Sequence, residues 1–210
     1  MQTAMTRTAR AEEKLQLTVQ GIGPSGRIED KYAFGNPDAK THSKPGQNIS
    51  PAISWSAGPA GTKSYAIIMH DTDVPSVFDD ANREGRTIAA SLPRRDFTHW
   101  VLVDIPAGTA SLAEGQDSPG GTAPKPPGKK PYGTTGTNDY GPAHGGYDGP
   151  CPPWNDTILH HYHFTVYALD VPSLGLGGAF GRAEALAAMQ GHILAQGRVT
   201  GTYSQNPAVK

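Results

Sequence analysis

The chain has 210 residues, of which 36% are hydrophobic and 18% are charged, and its formal net charge is -1 at pH 7. This length allows one domain with a substantial core, and a near-neutral chain without a basic stripe argues against nucleic-acid binding. No run reaches the roughly 18 apolar residues of a membrane span, so no integral membrane association is expected.

Two further features bear on the compartment. The first 19 residues lack the apolar segment of a secretory signal, so a cytoplasmic protein is the default expectation. Cys151 is the only cysteine, which excludes an internal disulfide and is compatible with a reducing compartment. Because prolines flank it on both sides, we interpret Cys151 as a structural thiol rather than a reactive one.

Residues 1–14 are expected to form a flexible tail, residues 15–205 a single domain, and residues 206–210 a short second tail. Within the domain, short segments with β-character alternate with turn residues and predict strands. The predicted strands are 15–22, 31–34, 52–55, 64–73, 99–106, 159–170 and 198–205. Several are too continuously apolar for one-sided surface strands, which favours central strands of a sandwich.

One segment, 181–197, predicts a helix. It is rich in alanine, places Leu186, Met189 and Ile193 at helical spacing, and ends at Gly197. A single late helix after a run of strands indicates an all-β sandwich rather than alternating βαβ units. Two long connections remain, 74–98 and 107–150, and the second is expected to be ordered over a site in its later half.

Two segments invite comparison with phosphate-binding loops. The sequence GLGGAFG (175–181) departs from G-x-G-x-x-G and lacks βαβ flanks, so a flexible turn before the helix is the favoured interpretation. The sequence PPGKKPY (126–132) lacks the Walker spacing. No G-x-S-x-G nucleophile elbow is present either.

Three histidines open the strand predicted at 159–170. Side chains alternate along a strand, so His161 and His163 face one way while His160 and Tyr162 face the other. Two histidines on one face could bind a metal, but they would need further ligands that no H-E-x-x-H motif or cysteine pair supplies. We therefore expect no metal and no other cofactor.

An acid–histidine pocket is the remaining chemistry. Asp71 and Asp73 end one predicted strand, and His99 begins the next. If these strands are neighbours, Asp71 approaches His99, and His160 could join the same rim. The alternative is that the two aspartates merely cap a turn.

Three segments together resemble the phosphatidylethanolamine-binding proteins, and within them the bacterial Raf-kinase-inhibitor-like branch. They are DTDVP (71–75), HWVLVDIPAG (99–108) and the stretch 138–170, and the resemblance covers about residues 15–205. It implies a mainly β fold: a two-sheet antiparallel β-sandwich with Greek-key links and a C-terminal helix. It also implies a small pocket for phosphate, phosphorylated head groups or acetate.

The resemblance also implies the ligand-binding residues. They are Asp71 and Asp73 of the D-x-D-x-P motif, His99 with Trp100, His160, and the turn formed by Gly149, Pro150, Pro152 and Pro153, with Tyr147 in place of a tyrosine of the eukaryotic members. The sequence departs from the family at Thr72 and Val74, and the stretch 154–159 is longer than in the eukaryotic members.

The expected function is that of a binding or regulatory protein for a small anionic ligand such as phosphate or phosphoethanolamine. The relatives suggest a kinase or protease as partner, and a homodimer is also allowed. The alternative is an enzyme that uses the same aspartate and histidines for acid–base chemistry on a small phosphorylated or carbonyl substrate. Asp71 is expected to favour the charged form of His99 and to leave His160 titrating in the physiological range.

Overall fold

A computed structural model describes residues 13–209 of the chain, which contain one α-helix, one 3-10 turn and fourteen strands. The strands are β1 (Glu13–Lys14), β2 (Leu17–Val19), β3 (Gly35–Asp38), β4 (His42–Pro45), β5 (Ile53–Trp55), β6 (Ser64–Pro75), β7 (Arg94–Pro106), β8 (Ser111–Leu112), β9 (Gly128–Lys130), β10 (Gly133–Thr135), β11 (Thr137–Asn138), β12 (Gly141–Gly145), β13 (His160–Leu169) and β14 (Ile193–Tyr203). The helix α1 is Arg182–Met189, and the 3-10 turn is Asp30–Tyr32.

The central layer is a seven-stranded sheet with the strand order β1-β14-β13-β6-β7-β10-β9. All of its neighbours are antiparallel except the short parallel pair β1–β14. A three-stranded sheet, β2-β5-β8, forms a second layer, and β3–β4 and β11–β12 are two-stranded additions. The predicted mainly β sandwich with a single helix is therefore confirmed.

The core has two parts because both faces of the central sheet are covered. On one face Met69 and Phe164 pack in a cluster with Ile53 of the three-stranded sheet. On the other face Val101 packs in a cluster with Met189 of α1. Covering both faces explains why β6, β7 and β13 are continuously apolar rather than alternating, as the sequence indicated.

The helix prediction at 181–197 is wrong in its second half. The helix ends at Met189, and Gly191 with φ 81° turns the chain into β14, whose register with β13 runs from Ile193 to Tyr203. A Cβ on Gly197 would lie 2.6 Å from the carbonyl oxygen of Leu15. Strand pairing along β13 therefore overrides the helical propensity of this alanine-rich segment.

Four other departures from the predictions concern strands and connections. The predicted strand 31–34 is occupied by the 3-10 turn, which places the fully buried Tyr32 in the core. Strand β7 begins at Arg94, inside the connection predicted at 74–98, and the connection 107–150 contains β8 to β12. The sheet begins at Glu13–Lys14, and the remainder of the predicted N-terminal tail lies outside the described residues.

Candidate functional site

A β-bulge brings His99 onto the face of the sheet that carries Asp71. The β6–β7 register pairs Met69 with Trp100 and then His70 with Thr98, so His99 is the extra residue. A bulge re-aims a side chain in this way. The His99 ring consequently lies 5.2 Å from the ring of Tyr162, the residue that faces Asp71 from β13.

Four charged side chains beside this bulge are linked one to the next by hydrogen bonds: Arg94, Asp156, His160 and Asp71. We call this linked set the charge chain. His160 Nδ1 lies 2.7 Å from Asp71 Oδ2, and its Nε2 lies 3.1 Å from Asp156 Oδ2. Arg94 donates to both oxygens of Asp156, at 2.5 and 3.0 Å. The second oxygen of Asp71 accepts the backbone N–H of Asp73 at 2.8 Å.

The two carboxylates hold His160 in its charged form. Burial disfavours that form, but hydrogen bonds to Asp156 and Asp71 outweigh it and raise the pKa of His160 to about 9. Burial likewise opposes ionisation of Asp156, yet the bonds from His160 and Arg94 prevail and lower its pKa. With both ring nitrogens facing carboxylates, His160 fixes Asp71 in place and has no nitrogen left for a ligand.

His99 is in the opposite charge state from His160. Its Nδ1–H donates to the carbonyl oxygen of Asp148 at 2.8 Å, because a carbonyl can only accept. Burial lowers the pKa of His99 below 6.5 despite the nearby Asp71 carboxylate. At neutral pH the ring is therefore uncharged, and Nε2 is an acceptor.

Asp71 does raise the pKa of His99, as expected, but burial outweighs this effect and Asp71 forms no hydrogen bond to the His99 ring among the described residues. Asp71 bonds His160 instead, and the two histidines have the opposite pKa order from the expected one. The reason is the bulge, which turns Nδ1 of His99 toward the backbone of Asp148. His160 and Tyr162 do lie on the buried face of β13, and His161 is exposed, as the alternation predicted.

The turn 149–153 is held rigidly against the opposite layer. A Cβ on Gly149 would come within 1.9 Å of the carbonyl oxygen of Tyr32, so only glycine fits there. The carbonyl oxygen of Pro150 accepts the N–H groups of Phe34 and Gly35, and that of Pro152 accepts the side chain of Gln205. Pro153 is buried in the same turn.

The sulfur of Cys151 belongs to this turn. It accepts a weak hydrogen bond from Gln205 at 3.6 Å, and burial raises the pKa of the thiol to about 11. A buried thiol with a raised pKa is protonated and inert at neutral pH. This environment fits the structural interpretation of the only cysteine.

Two partly exposed aromatic rings, Phe97 and Tyr140, lie beside His99, and the sequence reasoning missed Tyr140. Tyr140 lies 5.7 Å from His99, stacks on Phe34 at 4.3 Å and meets Phe97 edge-on at 5.2 Å. Its hydroxyl donates to the carbonyl oxygen of Gly149 at 3.0 Å. We call Phe34, Phe97 and Tyr140 the aromatic rim.

Trp100 and Tyr147 lie in the core rather than at this rim. The indole N–H of Trp100 donates to Asp117 at 2.5 Å, and the hydroxyl of Tyr147 donates to the carbonyl oxygen of Tyr32 at 2.7 Å. Their rings meet edge-on at 5.5 Å. Tyr140, not Tyr147, is the tyrosine of the rim beside His99.

Asp73 supports the site from outside. Its carboxylate accepts both the backbone N–H and the ring Nδ1 of His161, each at 2.8 Å, while its own N–H binds Asp71. The turn-capping bond of the alternative interpretation is made by Asp71, whose carboxylate accepts the N–H of Asp73 two residues later.

A second buried carboxylate, Asp148, ties the long connection to His99. Its side chain is fully buried and accepts hydrogen bonds from Asn48, Lys125, Asn138 and His144 at 2.5–2.9 Å. Three of these donors lie in the same long connection as Asp148 and the fourth, Asn48, lies far from it in sequence, so their spacing forms no pattern that could have identified the cluster.

Neither a metal cluster nor a membrane span is found in the part of the chain that the structure describes. No group of three or more histidine, cysteine, aspartate or glutamate side chains there is arranged to hold a metal ion. No helix among residues 13–209 is long and apolar enough to cross a membrane.

Comparisons with known proteins agree on one family. The family model described as phosphatidylethanolamine-binding protein matches residues 18–204. A UPF0098 protein of Aquifex aeolicus is 38% identical over 83% of this chain and 85% of its own length. The UPF0098 protein YbhB of Escherichia coli is 33% identical over 76% of this chain and 84% of its own length.

Solved structures extend the likeness to the fold. The crystal structure of Escherichia coli YbcL, described as a new member of the mammalian PEBP family, has a TM-score of 0.66 at 26% identity and covers 91% of this chain and 98% of that one. A Chlamydia trachomatis homologue has a TM-score of 0.59 at 29% identity, covering 92% and 99% of the two chains. The chain belongs to the phosphatidylethanolamine-binding protein family.

Proposed function

We propose that this protein binds a small ligand carrying a phosphate or another anionic group beside Asp71 and His99, under the aromatic rim. The observation that carries the proposal is the charge chain, which fixes a buried carboxylate next to a neutral histidine. Burying two ion pairs costs desolvation energy that apolar residues would avoid. Groups with strongly shifted pKa values of this kind concentrate at functional sites.

The charges decide which form of the ligand fits. The charge chain carries two positive and two negative groups, so it is neutral overall and offers an anion little net attraction. A phosphate monoester in its singly charged form retains a P–OH group, because its second pKa is about 6. That hydroxyl can donate to Nε2 of neutral His99, and a protonated His99 can donate to the doubly charged form.

An ammonium group on the same ligand would find a suitable surface at the rim. The faces of Tyr140 and Phe97 attract cations, by about 0.5–2 kcal/mol in general. Phosphoethanolamine combines both groups and is therefore the test ligand. A cytoplasmic location is part of the proposal.

The acid–base enzyme is favoured less by this geometry. Both nitrogens of His160 face carboxylates, so His99 would be the only histidine of the site able to exchange a proton with a substrate. Turnover of phosphoesters that is lost in His99→Ala would replace the binding function with this one.

Regulation of a kinase or protease partner and formation of a homodimer are secondary parts of the proposal. Val77 and Phe78 are neighbouring apolar side chains, 51% and 48% exposed, and Arg95 lies over the rings of both Phe78 and Phe97. This exposed pair beside the rim is a candidate contact surface. Light scattering of the wild type and of Val77→Ser with Phe78→Ser would test self-association there.

Calorimetric titration with phosphoethanolamine tests the main proposal. His99→Ala removes a hydrogen bond to a charged group, worth about 1.5–3 kcal/mol, so affinity should fall at least tenfold. His192→Ala is the matched control, because His192 pairs with Asp170 on a partly exposed surface away from the bulge. Equal affinities of His99→Ala and the wild type would refute the site.

A further inference from the structure

The fold brings together the two segments that the sequence analysis set aside as phosphate loops. The glycine-rich segment before α1 and the basic segment of β9 line one cavity of about 550 Å³. Its wall includes Lys129 and Lys130 on one side and Gly177 and Gly178 on the other. The cavity lies beside Asp104 of β7, five residues and therefore roughly 16 Å along the strand from His99.

The glycine-rich segment is an arch fixed at both ends. At its start Asp104 accepts hydrogen bonds from the hydroxyl of Ser173 and the N–H of Leu174, at 2.8 and 2.7 Å. At its end the carbonyl oxygen of Phe180 accepts the N–H and the hydroxyl of Thr137, at 2.7 and 3.0 Å. Both ends of the arch are therefore anchored to neighbouring strands.

The arch presents unused donors. The N–H groups of Leu176, Gly177, Gly178 and Ala179 have no hydrogen-bond acceptor among residues 13–209. Successive backbone N–H groups in a glycine-containing turn form concave sites that bind anions. Glycine at 178 is required by its φ of 69°.

Glycine at 177 has no such structural requirement. Its φ is not in the left-handed region, and a Cβ added there would meet nothing within 4 Å. Because residue 177 has no side chain, the backbone of the arch stays accessible from the cavity.

The charge of the cavity favours an anion. Neither Lys129 nor Lys130 forms an ion pair with any residue that the structure describes. The one acidic residue of the wall, Asp104, uses its oxygens on Ser173 and Leu174.

Through Thr134, Lys129 lies on the face of Val103, which packs against the helix and the arch. Lys130 lies on the opposite face, where its charge opposes the rise that burial causes in the pKa of Asp117. One uncommitted ammonium group therefore lies on the same side of the sheet as the arch of uncommitted N–H groups.

From this juxtaposition we propose a second anion site that takes a phosphate group between Lys129 and the 176–179 arch, with Lys130 adding positive charge to the same cavity wall. It is separate from the site proposed at Asp71 and His99 and does not depend on it. The volume exceeds that of a phosphate, so the ligand class is a diphosphate or the phosphate ester of a small molecule.

Nuclear magnetic resonance titration tests the site directly, because backbone amides of glycine are readily resolved. Inorganic pyrophosphate or glycerol 3-phosphate should shift the amides of Gly177 and Gly178 saturably, with a dissociation constant at or below about 1 mM. The tighter of the two ligands distinguishes a free diphosphate from an ester. Affinity should decrease with added salt, since the lysines are exposed to solvent.

Variants assign the binding. Lys129→Gln with Lys130→Gln removes both charges and should weaken binding at least tenfold. Lys63→Gln, at an exposed lysine outside the cavity, and His99→Ala should bind like the wild type. The proposal is overturned by amides that do not shift saturably, by an unchanged affinity in the double variant, or by loss of binding in His99→Ala, which would assign the anion to the other site.

Discussion

The charge state of His160 predicts how stability depends on pH. The ring has a pKa of about 9 in the folded protein, against about 6.5 for an unperturbed histidine. A proton that binds more tightly in the folded state stabilises folding below the unfolded pKa, and the effect disappears as the pH rises through the folded pKa. The perturbation is therefore a pH increase from 7 to 9.

The magnitude follows from the two pKa values. The difference between the two pKa values corresponds to about 3 kcal/mol of stability at low pH, and linkage leaves only a few tenths of a kcal/mol at pH 9. Between pH 7 and pH 9 the free energy of unfolding should decrease by about 2 kcal/mol. His70 and His99, whose pKa values are lowered, are neutral in the folded protein throughout this window, and each changes the result by no more than a few tenths of a kcal/mol.

Urea unfolding at each pH, combined with titration of the His160 ring by nuclear magnetic resonance, measures both quantities. Asp156→Asn removes one of the two carboxylates, so the His160 pKa should fall and the loss of stability should move to lower pH. A His160 ring that titrates near 6.5, with a flat free energy of unfolding between pH 7 and 9, would refute the charge chain as described.

Three further outcomes are expected. His70 is buried with its Nδ1 unpartnered among the described residues, and burial lowers its pKa to about 4, so the folded state is destabilised as the pH falls below 6.5. Between pH 7 and pH 5, the free energy of unfolding measured in urea should therefore decrease by about 2 kcal/mol less in His70→Leu than in the wild type. Gly149→Ala forces a Cβ against the carbonyl oxygen of Tyr32 and should lower stability by about 1–3 kcal/mol in thermal denaturation. The control Gly108→Ala, whose Cβ meets nothing within 4 Å, should be nearly neutral, and equal effects of the two variants would contradict the close packing of the turn. Tyr140→Phe should retain stacking on Phe34 but lose the bond to Gly149, at a cost of about 1 kcal/mol of stability, and an unchanged melting temperature would contradict it.

The sequence predicted the sandwich because its central strands are covered on both faces. Strands β6 and β13 were recognised at nearly their observed bounds, since their apolar runs are long and end in turns. The helix prediction for 181–197 failed in its second half because helical propensity is local, whereas the pairing of Ile193–Tyr203 with β13 depends on residues some 30 positions earlier. Short strands such as β9 and β10 carry no periodicity that a sequence pattern could show.

The site was predictable only in part, and the bulge explains why. Alternation along β13 correctly placed His160 on the buried face, because regular strands have a fixed period. The partner of Asp71 could not be inferred, because one extra residue at His99 redirects its ring and cannot be read from composition. Asp156 was overlooked since Asn155 and Asp156 resemble an ordinary turn.

The two histidines should be separable by experiment because they respond to different measurements. His160 is enclosed by Asp71 and Asp156, so its proton is linked to folding and not to the ligand. His99 has Nδ1 committed to a carbonyl and only Nε2 available, so any proton shared with a phosphate must pass through it. Burial lowers the pKa of His99 in the free protein, and the charge of a bound anion should raise it again. Affinity for phosphoethanolamine should therefore weaken as the pH rises through the pKa of the complex. Calorimetry in buffers of different ionisation enthalpy should detect proton uptake on binding in the wild type and none attributable to the protein in His99→Gln. Proton uptake that persists undiminished in His99→Gln would place the ligand at another group.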